Sequence, residues 1–470
     1  MIYKNSQRGT LLVLVLVLSS IFFILLTGLM HYVITQHQVQ IYNAERERAR
    51  EIAEAGLNYY KWYLAHYTDD VTHGTGEPGP YVIAYEDPEY GHIGYFEIEV
   101  SGSSYCDQVG YIDIVSTGYT NDEPNIRRTI QARYSRPTVA EYSFIINSNV
   151  WSGSDRVIVG PFHSNGGIRM DGDHNSTVTS GQEEWLCTAS FGCSPNQTVD
   201  GIFGDGTNPA LWHFPSTPIN FTGLNTDLAE MRNHSINNGG IYIGSSGAGA
   251  HGYLVSFNNN NTITVHRVLS TESYTAYSVE EGTHTEDNVI TGTELFGIFD
   301  IPEECPLIFV EDKIWLQGEV SLKASIAAAN PSDDGSNPSI ILNNNITYTN
   351  DDAGLLAIAE GNVLVGLQVP DHMTVNGIYI AQKGRFSRNH YYNSGLPEWL
   401  RPYVQRERMD MLGTITSNGR VGTKWTSGGA FVSGFDDRFN EYDRNLVNNP
   451  PPLTPRTSDD YRFMEWRDID

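Results

Sequence analysis

The longest uninterrupted apolar stretch of the chain lies close to its N-terminal end. Residues 10–34 contain no Asp, Glu, Lys or Arg. As a helix, a stretch of this length extends about 37 Å at the helical rise per residue. That length is enough to cross a hydrocarbon core of about 30 Å. The pattern therefore predicts a membrane-spanning helix over residues 10–34.

The residues that follow the apolar stretch continue the helix into water. Residues 43–67 contain no Pro and a single Gly, so nothing in them ends a helix. Charged residues fill one side of the first part of this segment, and the opposite side is apolar. The residues on the apolar side are Ile52, Ala55, Tyr59 and Tyr63. We expect one helix over residues 10–66, whose second half packs on an apolar surface.

Basic residues flank the apolar stretch on its N-terminal side. Lys4 and Arg8 precede it, whereas the arginines that follow it are offset by neighbouring glutamates. Positive flanks stay in the cytoplasm, so the remainder of the chain is expected on the exported side. A cleaved secretory signal is the alternative. Its apolar region would be about 7 to 15 residues long and would end in small residues, which Met30, His31 and Tyr32 do not supply.

The arrangement of the first sixty residues resembles that of a known family. A short basic leader ends at Gly9, an apolar helix begins at Thr10, and the helix continues through AEAGLNYY at residues 53–60. This arrangement resembles type IV pilin-like proteins, in particular the large minor pilins of the PilX type. The resemblance implies that a prepilin peptidase cuts between Gly9 and Thr10, leaving 1–9 as the leader. It also implies that the helix then packs with other pilins in the core of a filament.

Two positions depart from the pattern of the family. The residue after the cut is usually Phe or Met and is Thr10 in this chain, and the fifth mature residue is usually Glu and is Leu14. In the family that glutamate pairs with the methylated N-terminal amine of a neighbouring subunit, since a lone carboxylate in the membrane costs about 3 kcal/mol. Leu14 therefore implies a position at or near the filament tip. The alternative is a sheath-forming or major subunit with its own register rule.

Beyond the helix the pattern changes to short β segments. A dense run of turn formers, HGTGEPGP at residues 73–80, marks the end of the helix. Strand patterns follow at residues 94–100, 111–120 and 127–136. They predict a small antiparallel sheet over residues 67–138 that is laid on the second half of the helix.

The remaining residues, 139–470, repeat short strand segments between Asn-Gly or Gly turns, as at residues 163–172, 375–384 and 416–422. Short strands that are separated by tight turns are typical of a β-solenoid, and an irregular β-sandwich is the alternative. Residues 181–300 do not follow this repeated pattern and are expected to form an excursion, that is, a segment outside the regular repeat.

The predicted fold class is therefore α+β. It combines a long N-terminal transmembrane and stalk helix, a small antiparallel sheet, and a large all-β domain of the solenoid type.

Composition narrows the range of partners. The chain has 56 Asp and Glu against 29 Lys and Arg, a formal net charge of −27. Such a balance leaves no basic surface large enough to neutralise a phosphate backbone, so nucleic acid is not an expected partner. The 27 Tyr and 8 Trp residues keep surface glycans among the candidate partners.

All four cysteines lie on the predicted exported side, where disulfides persist: Cys106, Cys187, Cys193 and Cys305. Four cysteines permit three pairings. Cys187 and Cys193 are near in sequence and close most easily, which leaves Cys106 with Cys305 as a staple between the sheet and the large domain. Zinc is not favoured because no Cys-x2-Cys pair exists. Buried free thiols are the remaining alternative.

Candidate chemistry in the exported part is limited. Asp171, Asp173 and His174 cluster as acid and base groups would, but a turn uses the same residue types. Two acidic loops offer oxygen ligands for calcium without the spacing of a dedicated calcium loop. These weak calcium candidates are Asp333, Asp334, Asp351 and Asp352. No catalytic site and no cofactor is expected, because phosphate-loop, zinc-helix and hydrolase-elbow motifs are all missing from the sequence.

These observations favour a structural protein over an enzyme. The favoured function is a non-catalytic minor pilin or pseudopilin-like subunit of a type IV filament system. It would span the inner or cytoplasmic membrane once before assembly, and would then stand on an extracellular filament or the cell surface for assembly or adhesion. Its expected partners are other pilins, the prepilin peptidase and the membrane. The alternative is a membrane-anchored β-solenoid enzyme or lectin that acts on extracellular glycans.

We predict that coexpression with a prepilin peptidase removes residues 1–9. The polar leader with Lys4 and Arg8 otherwise holds the end of the helix at the cytoplasmic face. Intact-protein mass spectrometry should find a chain that starts at Thr10, and the same chain made without the peptidase should keep its leader. Mature surface protein that still begins with Met1 would contradict this prediction.

Overall fold

The computed structural model describes residues 8–67, 70–106, 108–221, 227–332 and 335–469. The chain forms two compact units. The first unit comprises Met1–Ser101, Ile112–Tyr134 and Phe463–Asp470, and the second comprises Gly102–Tyr111 and Ser135–Arg462. In the sequence, the second unit is thus inserted into the first.

The first unit contains one long helix and an antiparallel sheet. Helix α1 spans Arg8–His66, and four strands follow it in the sequence. They are β1 (Tyr81–Asp87), β2 (Gly91–Tyr105), β3 (Gln108–Thr120) and β4 (Arg127–Ser135). Strand β1 pairs antiparallel with β2, and β3 pairs antiparallel with β4. The predicted long N-terminal helix and antiparallel sheet are both confirmed.

The second half of α1 is buried because the residues on its inner face are apolar or small. The buried residues at helical spacing, none more than 4% exposed, are Ala49, Ile52, Ala53, Leu57, Tyr60 and Leu64. The sheet supplies buried residues at alternate positions of its strands, for example Phe96 and Ile98 of β2. The core of the first unit therefore lies between this half of α1 and one face of the sheet.

Helix α1 and strand β3 approach each other closely at Gly118. A Cβ atom at this position would overlap the carbonyl oxygen of Ala49 and the amide nitrogen of Ala53. On the helix, Gly56 is similarly confined by Ser116 and Phe96. Because helix backbone atoms cannot move aside as the end of a side chain can, the short distance between helix and sheet requires glycine at position 118.

A carboxylate organises the turn that follows α1. The Tyr63 hydroxyl donates to Asp70 Oδ2 (2.5 Å), and the Thr72 and Gly74 N–H groups donate to the same carboxylate at 2.9 and 2.8 Å. The hydrogen bond from the Tyr63 hydroxyl, followed by that from the Thr72 hydroxyl (2.7 Å) and by the two N–H bonds, lowers the pKa of Asp70 to about 2. An ionised carboxylate therefore holds this turn at neutral pH.

The second unit is mostly β, and most of its strands are short. Its first strands are β5 (Phe144–Ile146), β6 (Val150–Ser152), β7 (Arg156–Val159), β8 (Phe162–Ser164), β9 (Ile168–Met170), β10 (Asp173–His174), β11 (Val178–Ser180), β12 (Glu184–Cys187), β13 (Gln197–Asp200), β14 (Ile202–Phe203) and β15 (Trp212–His213). Then come α2 (Leu228–Asn237), β16 (Ile241–Ile243), β17 (Tyr253–Asn258), β18 (Thr262–Ser278), β19 (Gly282–Asp300), β20 (Leu307–Val310), β21 (Ile314–Val320), β22 (Lys323–Ala328), β23 (Ile340–Tyr348) and β24 (Gly354–Ala359). The last elements of this unit are β25 (Val363–Val365), β26 (His372–Ala381), β27 (Phe386–Ser387), β28 (His390–Tyr391), β29 (Gln405–Ser417), β30 (Lys424–Ser427), β31 (Ala430–Glu441) and α3 (Arg444–Asn448), and β32 (Arg462–Asp468) follows them in the sequence.

Strand β32 returns to the first unit and lies beside β4 in its sheet. The Ile469 N–H donates to the carbonyl of Thr129 (3.2 Å). The sequence analysis assigned all of 139–470 to the large domain, whereas Phe463–Asp470 belong to the first unit and Gly102–Tyr111 to the second. A strand that pairs with a partner hundreds of residues earlier leaves no local signal in the sequence, which explains the difference.

Parallel ladders connect most strands of the second unit. The strands of the longest ladder follow the order β16, β20, β22, β24, β26, β29, β5, β8, β11 and β15. One column of aligned residues runs through it and includes Ile241, Ile326, Ile415, Phe144 and Val178. All five side chains are buried in one hydrophobic cluster. The aligned apolar column therefore forms much of the core of this unit.

The order of this ladder differs from the order of the chain. The chain enters the ladder in the middle at β5, runs through β8 and β11 to β15, and then continues at the far end with β16. From there it returns strand by strand to β29, where Ile415 pairs with Phe144 of β5. Two separate stretches of the chain are thus joined into one continuous ladder.

The predicted excursion at residues 181–300 is only partly separate from the ladders. Strands β15, β16 and β17 lie within it and pair in parallel with β11, β20 and β21. Antiparallel pairs account for much of the rest, namely β12 with β13 and the long β18 with β19. The long hairpin separates β17 from β20 in the sequence and interrupts the regular spacing of short strands there.

We predict that Gly118→Ala destabilises the first unit by about 3 kcal/mol, because the added methyl group has to push the α1 backbone away from β3. Thermal unfolding of the detergent-solubilised chain, followed by circular dichroism, measures the effect. Gly422→Ala is the matched control, since a Cβ atom at Gly422 would meet no atom within 4 Å. An unchanged unfolding temperature for Gly118→Ala would contradict the importance of this contact.

Candidate functional site

The first part of α1 presents apolar side chains that are exposed among the residues that the structure describes. The helix contains a segment long and apolar enough to cross a membrane, and none of that segment is buried. Leu14 is 59% exposed, and Phe22 and Leu25 are exposed to a similar degree. A continuous apolar surface of this length needs lipid or other helices around it. We call residues 10–34 the apolar segment.

Two hydroxyl side chains of the apolar segment donate hydrogen bonds to the backbone of their own helix. Ser20 Oγ donates to the carbonyl of Val17 (2.8 Å), and Thr27 Oγ1 donates to the carbonyl of Phe23 (2.5 Å). Internal hydrogen bonds of this kind remove the cost of placing a hydroxyl in apolar surroundings. The segment is therefore suited to an environment without water along its length.

The predicted processing residues lie in the first turns of α1. The helix begins at Arg8, so the bond between Gly9 and Thr10 lies inside it. Residues 1–7 of the predicted leader lie outside the described residues. The first turn of α1 contains no acidic residue, and Leu14 is part of the exposed apolar surface. The processing role of Gly9 and Thr10 and the tip-position role of Leu14 stay predictions.

The first acidic residue after Thr10 is Glu45, and it is engaged within its own unit. Its side chain is buried, Thr120 Oγ1 donates to Oε2 (2.7 Å), and Arg48 Nη1 donates to Oε1 (2.7 Å). A buried, paired carboxylate would be costly to withdraw for a bond to another subunit. In the sequence, Glu45 is only the first of the glutamates that offset the arginines after the apolar segment, and no local pattern indicates that its carboxylate is buried.

The four cysteines form two pairs at disulfide distance. Cys106 and Cys305 are 4.5 Å apart between Cα atoms and 199 residues apart in sequence, and Cys187 and Cys193 are 5.7 Å apart. Both pairs lie in the second unit. These pairs fit the predicted connectivity. The first attaches the turn between β2 and β3 to the segment that precedes β20.

Two of the four predicted calcium ligands belong to the part of the chain that the structure describes. Asp333 and Asp334 lie outside the described residues. Asp351 and Asp352 are exposed in the turn before β24, where the Asp352 N–H donates to Asn350 Oδ1 (2.9 Å). Within the described ranges, no three His, Cys, Asp or Glu side chains are placed to hold a metal ion. Calcium binding stays a prediction from the sequence.

The acidic cluster at residues 170–174 is committed to local hydrogen bonds. Arg169 Nε and Trp151 Nε1 each donate to Asp171 Oδ2 at 2.8 Å. His174 is buried and accepts from Trp212 Nε1 (3.1 Å), and burial lowers its pKa. A carboxylate held by arginine and a neutral buried imidazole are poorly suited to act together as acid and base.

No protein-family model matches the sequence, and no curated protein matches it. Among solved structures, the chain is similar to the crystal structure of the competence-associated pilin ComZ from Thermus thermophilus. The sequence identity is 12%, the match covers 90% of this chain and 97% of that chain, and the TM-score is 0.28. This TM-score is too low to establish a shared fold.

We predict that the exported protein contains no free thiol, since both cysteine pairs lie at disulfide distance. Iodoacetamide should modify no cysteine under denaturing, non-reducing conditions and four cysteines after reduction. Peptide mapping should link Cys106 to Cys305 and Cys187 to Cys193. Cys187→Ser is the matched variant and should expose one reactive thiol, at Cys193. Four modified cysteines without reduction would refute the prediction.

Proposed function

We propose that this chain is a subunit of a type IV filament system. The observation that carries the proposal is the division of α1 into two halves. The apolar segment is exposed along its length, whereas the half from Ala49 to Leu64 is buried on an antiparallel sheet. One helix thereby offers an apolar surface to its surroundings and is held firmly by its own globular part.

The same apolar surface suits two successive environments. Before assembly it matches the hydrocarbon core of the inner or cytoplasmic membrane, and afterwards it matches a bundle of helices from other pilins. The internally bonded hydroxyls of Ser20 and Thr27 suit both environments. The sequence around Gly9, with its resemblance to a prepilin leader, supports a prepilin peptidase as the partner that releases the helix from the membrane.

We further propose that the chain is a minor subunit at or near the filament tip. Leu14 stands where the resemblance implies a glutamate, and the next carboxylate, Glu45, is already paired with Thr120. The apolar segment therefore offers no acid to attract the N-terminal amine of a subunit that is already in place. The inserted segment, Ser135–Arg462, is also large, and packing it beside neighbouring subunits along a filament shaft would need more space than a position at the tip.

The second unit is proposed to be a non-catalytic β-solenoid displayed for assembly or adhesion. The parallel register supports this interpretation, because it aligns apolar residues of successive strands, such as Ile308 with Ile326. Stacked parallel strands with short connections are what a solenoid requires. The local bonds of Asp171 and His174 favour display over glycan hydrolysis.

We predict that gold-labelled antibody against the second unit marks filament ends in electron micrographs of intact filaments. The reason is that a subunit without the acid at position 14 can begin a filament but adds poorly behind an existing subunit. Labelling along the whole shaft would reject the tip position.

Leu14→Glu should move the label into the shaft, because the introduced carboxylate can pair with the amine of a neighbouring subunit. Leu14→Gln is the matched control. It has a polar side chain of the same size without a charge, and its label should stay at the ends. A Leu14→Glu variant whose label stays at the ends would contradict the proposed role of position 14.

A further inference from the structure

A cavity lies wholly in the second unit, away from the apolar segment already described. This cavity has a volume of about 520 Å³, within the range of small-molecule sites. It opens where the β30–β31 hairpin lies near strands β18 and β28, which pair antiparallel through Tyr277 and His390. We call it the Trp425 cavity.

Aromatic rings form the walls of the Trp425 cavity. Tyr277, Trp425 and Phe431 are half-buried, and Tyr392 is 46% exposed. The Tyr277 and Trp425 rings lie 5.8 Å apart at 71°, so they form a corner rather than a stack. Accessible rings on several sides suit a ligand with apolar C–H surfaces.

Hydrogen bonds within the second unit hold two of the aromatic side chains that line the cavity, Trp425 and Tyr391. Trp425 Nε1 donates to the carbonyl of Arg388 (2.9 Å). The hydroxyl of Tyr391, a buried lining residue, donates to the buried carboxylate of Glu286 (3.0 Å), and Asn389 Nδ2 donates to the same carboxylate (2.7 Å). A site that is already ordered loses little conformational entropy on binding.

The lining of the Trp425 cavity is electrically neutral. None of its described residues is Asp, Glu, Lys or Arg. His390 is buried, and burial lowers its pKa, so its ring is uncharged at neutral pH. The neighbouring cation Lys424 is paired with Asp436 (2.7 Å), and Arg385 is paired with Glu281 (3.1 Å). A neutral ligand therefore fits better than a phosphate or an acidic polymer.

Polar groups at the rim complete the chemistry of the site. Asn393, Gln405 and Ser427 line the cavity and are exposed, so amide and hydroxyl groups stand beside the aromatic walls. A sugar ring combines an apolar C–H face with hydroxyl groups around its edge, and it matches both features at once. We therefore propose that the Trp425 cavity binds a neutral carbohydrate.

This inference goes beyond the proposed filament role and does not depend on it. The cavity lies in the second unit and α1 in the first, and carbohydrate binding is measured on the purified chain without filaments. Failure of the binding experiment would leave filament assembly untouched, and failure of assembly would leave the binding result untouched.

The test uses the full chain in detergent micelles with cellohexaose, maltohexaose and chitohexaose as neutral probes, followed by Trp fluorescence and isothermal titration calorimetry. At least one probe should bind. Trp425→Ala should weaken that binding about tenfold or more, because it removes the largest ring of the site. Tyr392→Ala, at a more exposed ring, is a second variant and should weaken binding with little effect on folding. Trp399→Ala is the matched control, since Trp399 is 48% exposed and does not line the cavity.

Three results would overturn the proposal. The first is no binding of any neutral probe. The second is binding that Trp425→Ala and Tyr392→Ala both leave unchanged. The third is tighter binding of polygalacturonate or single-stranded DNA than of the neutral probes, which would identify an acidic polymer as the ligand.

Discussion

The close packing of the second half of α1 on its sheet is the contact on which the account of this chain depends. Ala49 and Ala53 lie so near to Gly118 that a single added methyl group has no room. The second half of α1 is fixed on the sheet, whereas the apolar segment is exposed. Its surface has to be covered by lipid or by other helices. The same contact places Glu45 beside Thr120, where its charge is used inside the unit. The attachment of α1 to its sheet and the burial of the Glu45 carboxylate thus belong to one interface.

The sheet of the first unit also accommodates a large insertion. Strands β4 and β32 are neighbours, although residues 136–461 separate them in sequence. An insertion between adjacent strands leaves the fold of the sheet intact, since the two ends of the insertion start and finish at neighbouring positions. Inside the inserted unit, the pairing of β29 with β5 closes a ladder built from two stretches of chain. Short strands that are close in sequence are thereby joined by strand pairs between residues that are far apart in sequence.

Structural features that depend on consecutive residues could be predicted from the sequence. The apolar segment, the continuation of the helix, the antiparallel strands and the short bridge from Cys187 to Cys193 all depend on neighbouring positions. Features that depend on distant residues could not be predicted. The pairing of β32 with β4, the contact at Gly118 and the Trp425 cavity each bring together residues from separate parts of the chain. The cavity combines Tyr277, His390 and Trp425, and each of them is an ordinary strand residue in its own segment.

The central claim is that the apolar segment packs against other subunits in a filament. Its most direct test is photocrosslinking from benzoylphenylalanine introduced at Phe22, which is 61% exposed in this chain. After irradiation of filaments sheared from cells, the account predicts covalent adducts between this chain and the helices of other filament subunits. The same probe at Trp62, beyond the apolar segment, should give few such adducts. A sheared-filament fraction that lacks this chain, or an irradiated chain at Phe22 that carries lipid adducts alone, would contradict the account.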